Sequence, residues 1–181
     1  MYCTGAQMCE FYGSDHMADI TEPRAPHDPD LITGDLLYYV ALIDQEPPST
    51  HIEPEYSDEE LAAAESALDN IKVAINAASR EADGYLLKQY GHRMKDGQFV
   101  AALLKETTLP EMVGDIARER IASRASLSQE TIEERAKAAR KWLSDVAVGK
   151  VELGVQSEKV RYHNHRRVAH TANSSIDWSS Y

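Results

Sequence analysis

The sequence predicts an all-α protein: a small helical bundle with one long helix, an acidic N-terminal arm or insertion, and an extended C-terminal tail. Three observations lead there. The hydrophobic 43% leans on alanine, with 2 Phe and 2 Trp against 9 Tyr, which suits closely packed helices better than a thick sheet core. Apolar residues recur at alternating spacings of three and four from Leu61 to Tyr85. Ser57-Asp58-Glu59-Glu60 and Thr108-Leu109-Pro110-Glu111 both carry the Ser/Thr-x-x-Glu pattern in which a side chain and a backbone N–H cap each other at a helix start. At 181 residues the chain fits one domain, or one domain plus arms.

Taken in order, residues 1–20 hold a short apolar-periodic piece, with Met8, Phe11 and Tyr12 spaced as on one helical face. Residues 21–30 carry three prolines among acids and read as a loop. Residues 31–44 suit a helix with Leu36, Leu37, Val40 and Ile43 inward, although Gly34 and the β-branched and tyrosine residues leave a strand open. Residues 45–56 are loop again. The two proline-acid stretches enclose too little apolar material for a core of its own, so residues 1–56 read as an N-terminal helix plus an arm or insertion.

Residues 57–150 read as the bundle core. The stripe Leu61, Ala64, Leu68, Ile71, Ile75, Ala78, Ala82, Tyr85 predicts a helix to about Tyr90, with Gly91 as its stop. About 33 residues at 1.5 Å each give roughly 50 Å. Its other face is mixed in sign, which argues against a membrane-surface helix. Residues 92–98 are a polar turn, and Phe99 to Leu104 a short helical piece. A further helix begins near Pro110, with Val113, Ile116, Ala117, Ile121 and Arg124 inward. Ser128 or Thr131 caps the last helix, whose stripe is Ile132, Ala136, Ala139, Leu143 and Val146, and Gly149 ends it. Residues 151–181 form the tail, opening with a short strand or extended segment over Val151–Val155.

The formal charge is −11, unevenly spread. Residues 1–60 hold 14 acids and the single base Arg24, residues 61–149 hold 13 of each, and residues 150–181 hold 5 bases and 3 acids. This is either a solvated acidic half with a plain tail, or an acidic surface with a task and a basic tail that docks. A chain of this charge repels a phosphate backbone at long range, so a nucleic-acid-coating protein is excluded and only passive contact with DNA stays open. No apolar run reaches the ~18 residues of a membrane span, and no signal-like start is present. Cys3 and Cys9 are too few for a disulfide scaffold and read as reduced thiols.

Chemistry finds little support. His163, His165 and His170 in the tail are the best metal candidates, since zinc takes imidazole readily, yet no Cys or acid cluster lies at ligand spacing beside them. The acids Asp58, Glu59, Glu60, Glu133 and Glu134 sit at helix starts, where the helix dipole explains them. No nucleophile elbow, phosphate loop, dinucleotide fingerprint or zincin motif occurs. Arg118, Arg120 and Arg124 interleave with Glu111, Asp115 and Glu119, the pattern of salt bridges along one helix. The expectation is no enzyme, no metal and no cofactor. Trp178 and Tyr181 stand among serines in the tail, as aromatic anchors for a partner's pocket or as a plain terminus.

Four stretches carry a family likeness: the start Met1-Tyr2-x-Thr4; Ala78-x-x-Glu81-x-Asp83-Gly84-Tyr85-Leu86-x-x-Gln89-Tyr90; Asp115-Ile116-Ala117-Arg118; and Ala138-x-x-Trp142-Leu143-x-x-Val146-Ala147-x-Gly149-Lys150-Val151-x-Leu153-Gly154. In this order and spacing the sequence resembles the head–tail connector (adaptor) proteins of tailed bacteriophages, the Mu-like prophage type. The likeness covers the start and residues 57–154. Gln89 stands where that family usually has Arg, and both the 21–56 stretch and the tail are longer. The resemblance implies a structural virion protein of the neck, assembled in the bacterial host cytoplasm. Its copies would form a ring, usually of twelve, beneath the portal protein. The ring would extend the DNA channel and offer a surface to the stopper or tail. The C-terminal segment would dock on the portal, with Arg161, Tyr162, Arg166, Arg167, Trp178 and Tyr181 as candidate docking residues. The competing expectation is an acidic helical interaction or regulatory module, a DNA-mimic-like inhibitor.

Overall fold

The computed structural model describes residues 1–21, 32–45, 56–106, 108–124 and 129–153. Among these residues there are seven helices and no strand, so the protein is all-α. None of the helices is long and apolar enough to cross a membrane.

Helix α1 spans Gly5–Tyr12 and α2 Ser14–Thr21. Thr4 opens α1 with a capping box: its hydroxyl accepts from the Gln7 N–H at 3.2 Å, and the Gln7 side chain accepts from the Thr4 N–H at 3.0 Å. Gly13, at φ +87°, breaks the run in two, a backbone conformation that L side chains adopt at a cost. The expected Met8–Phe11–Tyr12 face is corrected by this break. Met8 is fully buried, Tyr12 half-buried, and Phe11 is 41% exposed, because Met17, Ala18 and Ile20 of α2 supply the rest of the buried surface.

Residues 34–43 are helical, α3 (Gly34–Ile43), capped by the Thr33 hydroxyl. Leu36, Leu37 and Val40 face inward as expected, but Ala41 completes the face and Ile43 is only half-buried. Gly34 marks where α3 crosses α2. A Cβ there would lie 2.8 Å from the Asp15 Cα, so the two backbones meet without a side chain between them.

The long helix α4 runs Asp58–Tyr90. Ser57 and Glu60 cap each other, with the Ser57 N–H donating to the Glu60 carboxylate at 2.8 Å. Ala64, Leu68, Ile71, Ile75, Ala78 and Ala82 are buried, Leu61 and Tyr85 half-buried. Each fully buried Leu or Ile contributes about 1.5–3 kcal/mol. Alanines along the stripe let α4 serve as the axle: α1, α2, α3, α6 and α7 all pack on it, and one continuous core results.

Helix α5 covers Gly97–Glu106, α6 Leu109–Arg124 and α7 Glu130–Ala147. Val113, Ile116, Ala117 and Ile121 of α6 are buried, whereas Arg124, expected inward, is exposed in the last turn, where a cation faces the negative end of the helix dipole. The α7 stripe Ile132, Ala136, Ala139, Leu143 and Val146 is buried throughout. Its N-cap is Gln129, not Thr131, and it makes no side-chain cap bond; Glu130 and Glu133 place negative charge in the first turn instead. Ser128 lies outside the described residues. After α7 the chain turns at Gly149, and Leu153 buries itself, its N–H donating to the Tyr90 hydroxyl at 3.2 Å. Residues 151–153 form no strand.

Candidate functional site

The predicted docking residues Arg161, Tyr162, Arg166, Arg167, Trp178 and Tyr181 lie outside the described residues, as do His163, His165 and His170. The proline-rich stretches 22–31 and 46–55 do too. Among the described residues no cluster of three or more His, Cys, Asp or Glu could hold a metal ion.

What the described residues assemble is a set of polar ties between helices. The first joins α4, α6 and α7. Arg140 donates from Nε to Glu81 at 2.8 Å and from its terminal nitrogens to Glu119 at 2.9 and 2.5 Å. Arg120 adds a second donor to Glu81 at 2.7 Å. Burial pushes the Glu81 carboxyl up, but the bonds from Arg140 and Arg120 outweigh it and hold the group below the ordinary carboxylate range. The bond to Glu119 above all keeps Arg140 charged.

The second tie joins α1, α2, α6 and α7 around Asp115, which is 6% exposed. The Tyr12 hydroxyl lies 3.1 Å from the Asp115 carboxylate and 3.2 Å from the Glu111 carbonyl. The Arg118 guanidinium lies 4.8 Å above the Tyr12 ring and donates to His16 Nε2 at 3.1 Å from Nε. Arg135 of α7 approaches Asp115 at 3.9 Å. Burial raises the Asp115 carboxyl more than these neighbours lower it. Burial and the Arg118 charge both lower the His16 imidazole, which must be neutral to accept from a guanidinium.

The third tie is at the N-terminus. The Tyr2 N–H donates to Ser79 Oγ at 3.2 Å and its phenol donates to Asp83, so the start of the chain is bolted to α4. Gln89 reaches the turn at Gly149, where its side-chain nitrogen would touch a Cβ at 3.3 Å.

These ties correct the expected salt bridges within α6. Arg118, Glu119 and Arg120 all pair with other helices, because their side chains point into seams where partial burial strengthens a charged bond over an exposed pair along one helix. His16, Arg135 and Arg140 carry no motif and emerge only from the packing. Beside the first tie is a cleft of about 360 Å³, with Ala122 and Ile132 at its floor and Glu119, Glu133, Arg120 and Arg140 around it. Its Ser123 hydroxyl donates to the Arg120 carbonyl at 3.3 Å rather than to a base, and both arginines are held by carboxylates. Around this cleft the described charged groups serve as ties between helices.

The described residues thus form a helical bundle whose helices are tied to one another by charged hydrogen bonds. Residues 2–170 match the model of a protein family described as bacteriophage Mu, Gp36. The chain belongs to that family and is a Mu-like phage protein. Searches of curated proteins and of solved structures found no match.

Proposed function

We propose that this protein is a head–tail adaptor of the phage neck, a structural virion protein without catalysis. Copies form a ring beneath the portal protein, extend the DNA channel and present a surface to the stopper or tail. The observation that carries this reading is the family match across residues 2–170, from the bolted N-terminus into the tail. The stretches that suggested a connector supply the ties: Tyr2 with Asp83, Glu81 with Arg140, and Asp115 with Tyr12. A subunit that must keep its form while DNA is held under pressure gains from such bracing. The 14 acids in the first 60 residues suit a protein that DNA passes without being gripped.

The tail is the docking arm in this reading, with its basic and aromatic residues as anchors. The test is a pull-down of purified portal with the full chain and with a chain lacking 156–181. The full chain is retained and the truncated one is lost, while the helical signal in circular dichroism stays. Phage particles that join tails normally without this protein would refute the adaptor reading. A basic protein captured in place of portal would favour the acidic regulatory module.

A further inference from the structure

Helices α1 and α2 meet α6 across a seam with a titratable acceptor in it. Each of the two is 8 residues long, and isolated helices below about 12–15 residues are marginal in water. They are helical because they are docked, with Met8, Met17 and Ile20 buried in the core. At the seam the polar contacts converge on Arg118. Its Nε and Nη2 lie 3.1 and 2.7 Å from the same nitrogen, His16 Nε2, and its guanidinium stacks over Tyr12. A guanidinium has donors only, so that nitrogen must offer its lone pair. The contact therefore exists in one protonation state of the imidazole.

A proton on Nε2 turns the acceptor into a donor and sets one cation against another. Burial and then the Arg118 charge disfavour the imidazolium, and Asp19, exposed on α2, only partly offsets them. Behind Arg118 stand Asp115 and Glu111 of α6; Asp115 is bonded by the Tyr12 phenol of α1 and approached by Arg135 of α7. Among the described residues, α3 and α4, which also pack on α2, place no further charge on His16.

We propose that His16 is an acid-sensitive latch: neutral, it holds α1 and α2 against α6 through Arg118; protonated, it drops Arg118 and lets the two helices open from a bundle that otherwise stays folded. The latch belongs to the single subunit and does not depend on the adaptor reading.

Hydrogen exchange of the full chain, read by mass spectrometry at pH 7.5 and 5.5 and scaled by the intrinsic rate at each pH, tests it. A released His16 with its ordinary 6.5 is about ten-to-one protonated at pH 5.5, which sets the largest gain in opening at about tenfold. Protection over residues 5–21 falls about three- to tenfold at the lower pH, while residues 64–82 of α4 keep theirs. His16→Gln, whose amide oxygen accepts from Arg118 and does not titrate, keeps residues 5–21 protected at both pH values. Arg118→Ala lowers their protection at both and removes the pH step. Protection over 5–21 that does not fall, an equal fall over 64–82, a fall that persists in His16→Gln, or protection that Arg118→Ala leaves unmoved would each overturn the proposal.

Discussion

Arg140 of α7 donates to the Glu81 carboxylate of α4 at 2.8 Å, and the same guanidinium holds Glu119 of α6. One planar fork thus ties three helices, with side chains 31% and 22% exposed for Arg140 and Glu81. Arg140→Ala is expected to cost about 2 kcal/mol, the scale of hydrogen bonds to charged groups, discounted for partial solvent access. Arg140→Lys should recover only part, because an ammonium cannot span both carboxylates. Urea titration followed by circular dichroism measures both; midpoints equal to the unsubstituted protein would contradict the tie.

Gly34→Ala should be more disruptive than an ordinary surface change. The added Cβ meets the Asp15 side chain and also its backbone N and Cα, at 2.5 and 2.8 Å, which cannot swing aside, so α2 and α3 must part. The expected cost is about 1–3 kcal/mol in the same titration. A neutral result would mean that the α2–α3 crossing is looser than described.

The contrast between these two positions shows what the sequence made legible. The course of α4 is readable because Ser57 and Glu60 announce its start and the Leu68–Ile71–Ile75 spacing continues along the helix. The α7 stripe from Ile132 to Val146 was equally plain. Gly34 looked like a reason to doubt a helix, since its need lies in Asp15, nineteen positions away in the chain and visible only after folding. The partners of Arg118, Arg120 and Arg140 were hidden for the same reason: periodicity reports which face is buried, not which charge waits on the neighbouring helix. Gly13 leaves no mark in the apolar spacing of Met8, Phe11 and Tyr12, which reads as one continuous turn. The docking residues proposed from the tail lie outside the described residues, and their test is biochemical.

The His16–Arg118 bond predicts a pH dependence. Folding lowers the His16 pKa below its ordinary 6.5, through burial and then the Arg118 charge. The unfolded chain therefore binds the proton more readily, and the stability held in the neutral imidazole is present above pH 6.5 and lost as pH falls below it. Stability measured at pH 7.5 and 5.5 should drop toward acid, and His16→Gln should flatten that drop. An undiminished drop in the variant would assign it to other groups.

Cys3 and Cys9 are both buried, and burial pushes their thiols up to about 12 and about 11. The thiolate is the reactive form, so both should resist alkylation at pH 8 in the folded protein and react freely in denaturant. Rapid labelling of the native chain would show that the α1 region opens readily.

The adaptor account stands or falls on recruitment by the portal. Purified portal rings, mixed with the full chain and imaged by electron microscopy, should gain a ring of added density beneath the vertex, and the chain lacking residues 156–181 should leave the portal bare. Portal rings that stay bare with the full chain, in a preparation whose helices are intact by circular dichroism, would contradict it.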